Sequence, residues 1–351
     1  MKTIWSVAHT GHRPASEVID GRLQPHVEVP ARAELVLAAV RQRRIGEVLE
    51  VAQIAGADPA ADRAVIEKIH DPAFVRFLES VWSDWDAAGR TWDALPYIWP
   101  GPALPRGPEP GALDARLGHW AFDAGTPITA GTWDAAWWSA RCALAGARSL
   151  LAVGGSAFAL CRPPGHHATR ASYGGYCYLA NGSIAAQALL DGGAERVAVL
   201  DVDYHHGNGT QSVFWDRADV LTVSLHADPR DEYPYFTGSA DERGAWDGEG
   251  FNRNLPLPSG TRFDVWSEAL ADACREVAAF RPDALVVALG VDTHEDDPIS
   301  RFRLQSPDYL RIGARIARLR LPTLFVLEGG YATEVIGLNV VNVLEGFSHP
   351  R

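Results

Sequence analysis

Short, nearly unbroken apolar runs alternate along this chain with longer stretches in which apolar and polar positions mix. The runs at 3–8, 157–161, 197–203, 219–225, 284–289 and 322–327 have strand length, and the mixed stretches at 32–43, 72–88, 132–151, 179–191, 264–279 and 306–319 have helix length. This alternation predicts an α/β fold, an open parallel sheet flanked by helices on both faces. Ligands of such sheets bind beyond the carboxyl ends of the strands, which is where residues 161–167, 201–206, 290–292 and 328–331 fall. No internal repeat or low-complexity segment is present. One region breaks the alternation: residues 92–131 carry Pro96, Pro100, Pro102, Pro105, Pro108 and Pro110 with few periodic apolar positions. Loops of that length are usually functional or disordered. Tryptophans at 82, 85, 92, 99, 120, 133, 137 and 138 cluster around it, an aromatic density that suits an interface, with core packing of the flanking helices as its other use.

The polar residues that end the apolar runs carry the chemistry. In Val199-Leu200-Asp201-Val202-Asp203-Tyr204-His205-His206-Gly207-Asn208-Gly209 a strand runs into two carboxylates and two imidazoles. Alternate residues of an extended chain project to one side, so Asp203 and His205 can reach one cation while Tyr204 and His206 point elsewhere. A solvated turn is the plainer reading, but capping does not require so many ionisable groups. Gly290-Val291-Asp292 follows the run 284–289 and offers Asp292 as a third ligand; its neighbours Glu295, Asp296 and Asp297 read as solvated loop charges. Two carboxylates and one imidazole suit zinc, with ferrous iron as competitor, and leave positions open for water and substrate. In Cys161-Arg162-Pro163-Pro164-Gly165-His166-His167 two adjacent imidazoles can line one cavity as proton carriers. In Leu327-Glu328-Gly329-Gly330-Tyr331 the glycines permit a turn that swings a phenol toward the strand ends, where it suits a developing oxyanion. A Tyr that merely packs is the commoner case.

Together these segments resemble the histone deacetylase superfamily, whose hallmarks stand here as Arg162-Pro163-Pro164-Gly165-His166-His167, Asp201-Val202-Asp203-Tyr204-His205-His206-Gly207, Val223-Ser224-Leu225-His226, Gly290-Val291-Asp292 and Glu328-Gly329-Gly330-Tyr331. Within it the chain is similar to the bacterial acetylpolyamine amidohydrolases nearly end to end, including Pro30-Ala31-Arg32-Ala33-Glu34, Pro127-Ile128-Thr129-Ala130-Gly131-Thr132-Trp133 and Ile336-Gly337-Leu338-Asn339. The resemblance implies an arginase/deacetylase-like sheet and roles at matching positions. Asp203, His205 and Asp292 would hold zinc, His166 would be general base, and His167 general acid or electrostatic partner. Tyr331 would polarise the acetyl carbonyl, and Asp201 would orient His166. Asn208 stands where some members carry aspartate behind the second histidine, so it would stabilise imidazolium less at His167. The family also implies a structural monovalent cation, potassium, at Asp201, Asp203 and the backbone of His205, Ser224 and Leu225. Tyr176 and Tyr233 match the aromatic walls of its substrate tunnel, and its insertion pairs subunits, so a homodimer is expected. Glu17 matches a segment near the entrance, and Asp114 stands where the relatives carry glutamate, one methylene longer; either would meet the remote ammonium of the substrate.

Composition adds limits. The 351 residues, 47% hydrophobic, can bury a large core, and the whole span 1–351 reads as one catalytic domain with an insertion at about 92–131. A net charge of −12 disfavours nucleic acid and tolerates cationic ligands. Cys142, Cys161, Cys177 and Cys274 show no C-x-x-C spacing, against a thiol zinc site or a disulfide framework. The N-terminus is too short and polar for a signal peptide and no apolar run reaches membrane-spanning length, so a cytoplasmic, membrane-free enzyme is expected. The expected reaction is hydrolysis of acetylated polyamines or related small acetylated amines, with acetyl-lysine deacetylation in proteins as the alternative. A phosphatase that also ends a strand in Asp-x-Asp would need Thr or Val where His205 stands, and a non-catalytic binding module would have no use for both histidines and Tyr331.

Overall fold

The central strands are apolar on both faces, and the structure buries them on both. In the computed structural model, which describes residues 1–19, 21–54, 58–101 and 103–350, the strands are β1 Lys2–Trp5, β2 Ser16–Ile19, β3 Arg22–Pro25, β4 Glu47–Glu50, β5 Ser156–Ala159, β6 Val197–Asp201, β7 Val220–Ala227, β8 Asn252–Leu257, β9 Ala284–Leu289 and β10 Thr323–Leu327. Eight form one sheet in the order β4-β1-β5-β10-β9-β6-β7-β8, every pairing parallel; β2 and β3 form a separate antiparallel hairpin.

The helices are α1 Ala31–Arg43, α2 Pro59–Ile69, α3 Pro72–Ala87, α4 Leu113–Trp120, α5 Thr132–Val153, α6 Asn181–Asp191, α7 Asn208–Phe214, α8 Phe263–Phe280, α9 Ser306–Ala317 and α10 Ile336–Ser348. Alternation along each strand sorts residues between two cores. Val197 and Val199, Val286, and Leu324 and Val326 pack with α2, α3, α5 and α6 on one face. Ala198 and Leu200, Leu285 and Val287, and Phe325 and Leu327 pack with α1, α8, α9 and α10 on the other. Each fully buried Leu or Phe contributes roughly 1.5–3 kcal/mol of transfer free energy, so the sheet is held from both sides and its strand ends are firmly placed.

The expected strands are found within a few residues. The edge strands β4 and β8, with the polar sequences EVLE and NRNLPL, were not expected. The run 197–203 ends as strand at Asp201, and 202–207 is irregular, so Asp203 and His205 project from a turn rather than from a strand. Among the described residues of the Pro-rich insertion only α4 is regular, and Pro102 lies outside them. Trp120 is buried against Phe74 and Phe77, whereas Trp92 and Tyr97 are 60% and 69% exposed. The insertion's aromatics thus divide between core and surface.

Candidate active site

Beyond the ends of β6, β9 and β10, three buried side chains converge. The Asp203 carboxylate accepts the His205 N–H at Oδ1 (2.9 Å) and the Gly329 N–H at Oδ2 (2.8 Å), while Asp292 Oδ1 accepts the Tyr204 N–H (2.8 Å). His205 Nδ1 lies 3.0 Å from Asp292 Oδ2 and 3.3 Å from Asp203 Oδ1. Each of the three offers a ligand atom within 4.8 Å of the others. The surrounding backbone must be glycine: a Cβ on Gly290 would sit 2.0 Å from Asp203 Oδ2, and one on Gly329 2.4 Å from Asp292 Oδ2. Burial, and then the neighbouring Asp203 charge, push Asp292 up to about 8; against a burial penalty, Asp203 and Asp292 hold His205 at about 10. Two carboxylates forced together in an apolar interior require positive charge between them, and this donor set fits a dication of the zinc or ferrous type.

The histidine pair stands beside this triad. Glu328 Oε2 accepts the N–H groups of Gly165 (2.6 Å) and His166 (3.1 Å), which pins the loop after β5 to the end of β10. His166 Nδ1 is 3.0 Å from Asp201 Oδ2, and its Nε2 is 3.8 Å from Asp203 Oδ1. His167 Nδ1 is 2.6 Å from Asn208 Oδ1, at the first residue of α7. An amide oxygen only accepts, so Nδ1 of His167 carries the hydrogen and Nε2 is bare when the ring is neutral. The two rings lie 4.0 Å apart. Burial lowers His167, and the nearby His166 and His205 lower it further; His166 is raised despite burial because Asp203 and Asp201 face it. Asn208, a neutral partner, offers His167 a hydrogen bond but no counter-charge.

Tyr331 is buried, its ring 5.6 Å from that of Tyr176, with the Arg32 guanidinium 4.6 Å from its centre. The turn that carries it is held by groups the sequence reading passed over. Asp297, expected as a solvated loop charge, is buried, and its Oδ2 accepts the N–H groups of Tyr331 (2.7 Å) and Ala332 (3.3 Å). Of the three acidic residues of this loop, Glu295 and Asp296 are the exposed ones. Arg32 donates to the Gly330 carbonyl (2.6 Å) and to Glu28 (2.7 Å), and Arg162 shares Glu28 at 2.8 Å. Arg32 and Arg162 were visible only as letters in matching segments; Glu28 gave no signal.

Tyr176 and Tyr233 flank the site: the Tyr233 ring is 5.0 Å from His167 and 6.2 Å from both His205 and Phe122. Glu17 is not a solvated carboxylate. It is fully buried on β2, accepts the Val27 N–H (3.1 Å), and faces the Tyr176 hydroxyl; burial pushes it up to about 7. Asp114, in the first turn of α4, is partly exposed and held by Arg90 through two bonds of 2.6 and 2.9 Å, which commits its carboxylate within the chain. Asp123 drew no attention in the sequence, yet it accepts the Tyr233 hydroxyl at 2.7 Å. Asp201 is in register with Ser224 on β7, with Leu225 next along the strand, so the residues expected around a monovalent cation are neighbours, all buried. His166, Cys177 and Glu328 also lie within reach of one another. In that set His166 is already paired with Asp201, Glu328 accepts the backbone N–H groups of Gly165 and His166, and burial pushes the Cys177 thiol up.

Comparison with known proteins places this geometry. The histone deacetylase domain matches residues 26–347. An acetylpolyamine amidohydrolase 1 of Pseudomonas aeruginosa is 54% identical over 348 residues, covering 99% of both chains. An acetylpolyamine amidohydrolase of Mycoplana ramosa is 44% identical over 350 residues, again 99% of both. The crystal structure of an acetylpolyamine aminohydrolase from Burkholderia pseudomallei superposes with a TM-score of 0.92 at 40% identity, covering 99% of each chain.

Proposed function

The chain belongs to the histone deacetylase family, and on that premise we propose that it is a metal-dependent amidohydrolase that removes acetate from acetylated polyamines or related small acetylated amines. The observation that carries the reading is the buried Asp203, His205 and Asp292 triad set against two imidazoles with different partners. Asp203, His205 and Asp292 would hold zinc, with ferrous iron competing for the same ligands. When bound, the ion supplies Lewis acidity to the acetyl carbonyl and lowers the pKa of water.

The chain's own residues do the rest. With a cation rather than the His166 ring balancing Asp203, Nε2 of His166 would be free, and since Asp201 holds Nδ1–H, Nε2 is the atom that takes the proton of the attacking water. The Tyr331 hydroxyl donates to the oxygen on which charge develops. The proton that His166 takes from the water is the one the leaving amine receives, and His167, hydrogen-bonded at Nδ1 to Asn208 with its ring 4.0 Å from that of His166, is the group that hands it on. Tyr176 and Tyr233 confine the alkyl chain; Glu17 beside Tyr176, raised to about 7 by burial, would meet an ammonium only by ionising as the cation arrives, and Asp114 only by giving up Arg90. Potassium would occupy the ground between Asp201, Asp203 and the backbone of His205, Ser224 and Leu225. We further infer a homodimer, joined through the exposed Trp92, Tyr97, Ile98 and Leu104 of the insertion, and a cytoplasmic location. Among the described residues no helix is long and apolar enough to cross a membrane, and the acidic surface disfavours nucleic acid.

Hydrolysis of acetylputrescine, acetylcadaverine, acetylspermidine and an acetyl-lysine peptide, measured side by side, tests the reading. Higher kcat/KM on the acetylated amines is expected. A preference for the peptide would replace it with protein deacetylation, and no turnover of any acetamide by metal-loaded protein would end it.

A further inference from the structure

The two tyrosines that flank the site, Tyr176 and Tyr233, come from separate loops, yet one short segment holds both. On one wall, Gly175 and Tyr176 adopt consecutive left-handed conformations, φ +56° and +63°. Left-handed backbone is unfavourable for a bulky side chain and persists only where the surroundings enforce it. Gly175 cannot be replaced to relieve the turn, because a Cβ there would lie 2.2 Å from the His167 ring. The N–H groups of this turn are both taken by the segment after α4. Gly175 donates to Asp123 Oδ2 (2.6 Å), and Tyr176 donates to Thr126 Oγ1 (3.0 Å). On the other wall, the Tyr233 hydroxyl donates to the same Asp123 Oδ2 (2.7 Å), and Phe122 packs along the Tyr233 ring at 6.2 Å. Asp123 Oδ1 closes the segment on itself by accepting the Gly125 N–H (3.1 Å).

We propose that Asp123 is a positioning residue for the deacetylation, a single carboxylate oxygen that ties the strained Tyr176 wall to the Tyr233 wall and so sets the width of the channel in which the acetylated amine lies. The proposal rests on the amidohydrolase reading given above. Asp123 does not touch the reacting atoms; it acts through the backbone of Gly175 and the phenol of Tyr233. A short charge-assisted bond to each is stronger than a neutral one, and two of them meeting at one atom make the wall separation a fixed dimension rather than an average over rotamers. Sequence alone could not show this, because Asp123, Gly175 and Tyr233 are remote along the chain.

The test is a steady-state comparison of Asp123→Ala, Asp123→Asn, Tyr233→Phe and Thr126→Val, with metal content measured for each, on whichever acetylated amine the wild type turns over best. Asp123→Ala should lower kcat/KM by ~10–100-fold, the scale expected for small misplacement of a bound substrate, with the loss in KM and the metal retained. Asp123→Asn, whose amide oxygen can take the Oδ2 position, should recover most of it. Tyr233→Phe should weaken binding alone yet add little in the Asp123→Ala background, since contacting residues are not additive. An unchanged KM in Asp123→Ala, additive losses in the pair, or a fall in kcat that merely tracks lost metal would overturn the proposal. Should Asp123→Ala fail to fold, Tyr233→Phe and Thr126→Val decide: raised KM at retained kcat in both supports it, and wild-type KM in both overturns it. If the wild type prefers an acetyl-lysine peptide, the same series run on that peptide still decides the point, while the polyamine reading alone falls.

Discussion

Asp292 makes two demands on its surroundings at once: Oδ1 holds the Tyr204 N–H and Oδ2 faces His205, so the carboxylate cannot turn away from the centre without losing a buried backbone partner. Its place beside Asp203 and His205 is therefore fixed by the turn after β6, and under the proposed metal role Asp292→Ala should abolish stoichiometric metal uptake, read by elemental analysis of metal-loaded protein. Full retention by the variant would exclude the assignment. Tyr331 is a different kind of group. Its N–H is fixed by Asp297 and its ring lies between Tyr176 and the Arg32 guanidinium, so removing only the hydroxyl leaves the turn intact. Tyr331→Phe should keep the metal and lose turnover by about a hundred- to a thousand-fold, the usual cost of one oxyanion donor. Wild-type turnover where chemistry limits the rate would remove Tyr331 from the mechanism.

Elements differ in how plainly they announce themselves. Strands β5, β6, β9 and β10 are buried on both faces, so their apolar runs are nearly unbroken and their ends coincide with polar residues that have work to do there. The edge strands β4 and β8 and the hairpin β2–β3 carry charged or polar side chains in ordinary loop proportions, and only pairing with a neighbour defines them. The same logic separates Asp203, His205 and Asp292, which follow recognisable strands, from Asp297 and Glu28, whose importance lies in what folds against them. Glu28 precedes α1 and joins it to the site: Arg32 of α1 and Arg162 of the loop after β5 share its Oε1, and both arginines reach on to backbone carbonyls. Burial alone would raise Glu28, but Arg162 and Arg32 hold it at about 2. With the folded value below the ordinary 4.5, its stabilising contribution is complete above that value and lost as pH falls toward 2. Glu28→Gln leaves two buried guanidinium groups short of a counter-charge and should cost about 3–5 kcal/mol near neutrality. Urea unfolding at pH 7 and pH 3 checks this: the gap between wild type and variant should narrow at the lower pH, and a gap independent of pH would show that the charge of Glu28 is not what stabilises the junction.

At the scale of the whole molecule, an acidic chain of net charge −12 surrounds a site whose proposed substrates are cationic. Many of its carboxylates lie on the surface, so no single one of these need matter; what reaches the site is their sum, focused where low-dielectric groups such as Tyr176 and Tyr233 flank it. Such a field acts over a Debye length of about 10 Å at 0.1 M salt and about 3 Å at 1 M, whereas the contacts inside the cavity are too short and too buried to be screened. The two contributions therefore separate experimentally. Raising salt across this range should lower kcat/KM for acetylspermidine several-fold, more than for acetylputrescine because it carries more positive charge, and leave a neutral N-alkylacetamide almost unchanged, with kcat at saturation constant for all. Equal responses of charged and neutral substrates would point instead to salt acting on assembly or stability, and a flat response for acetylspermidine would mean that recognition of the ammonium rests on the buried groups beside Tyr176 and Tyr233 alone.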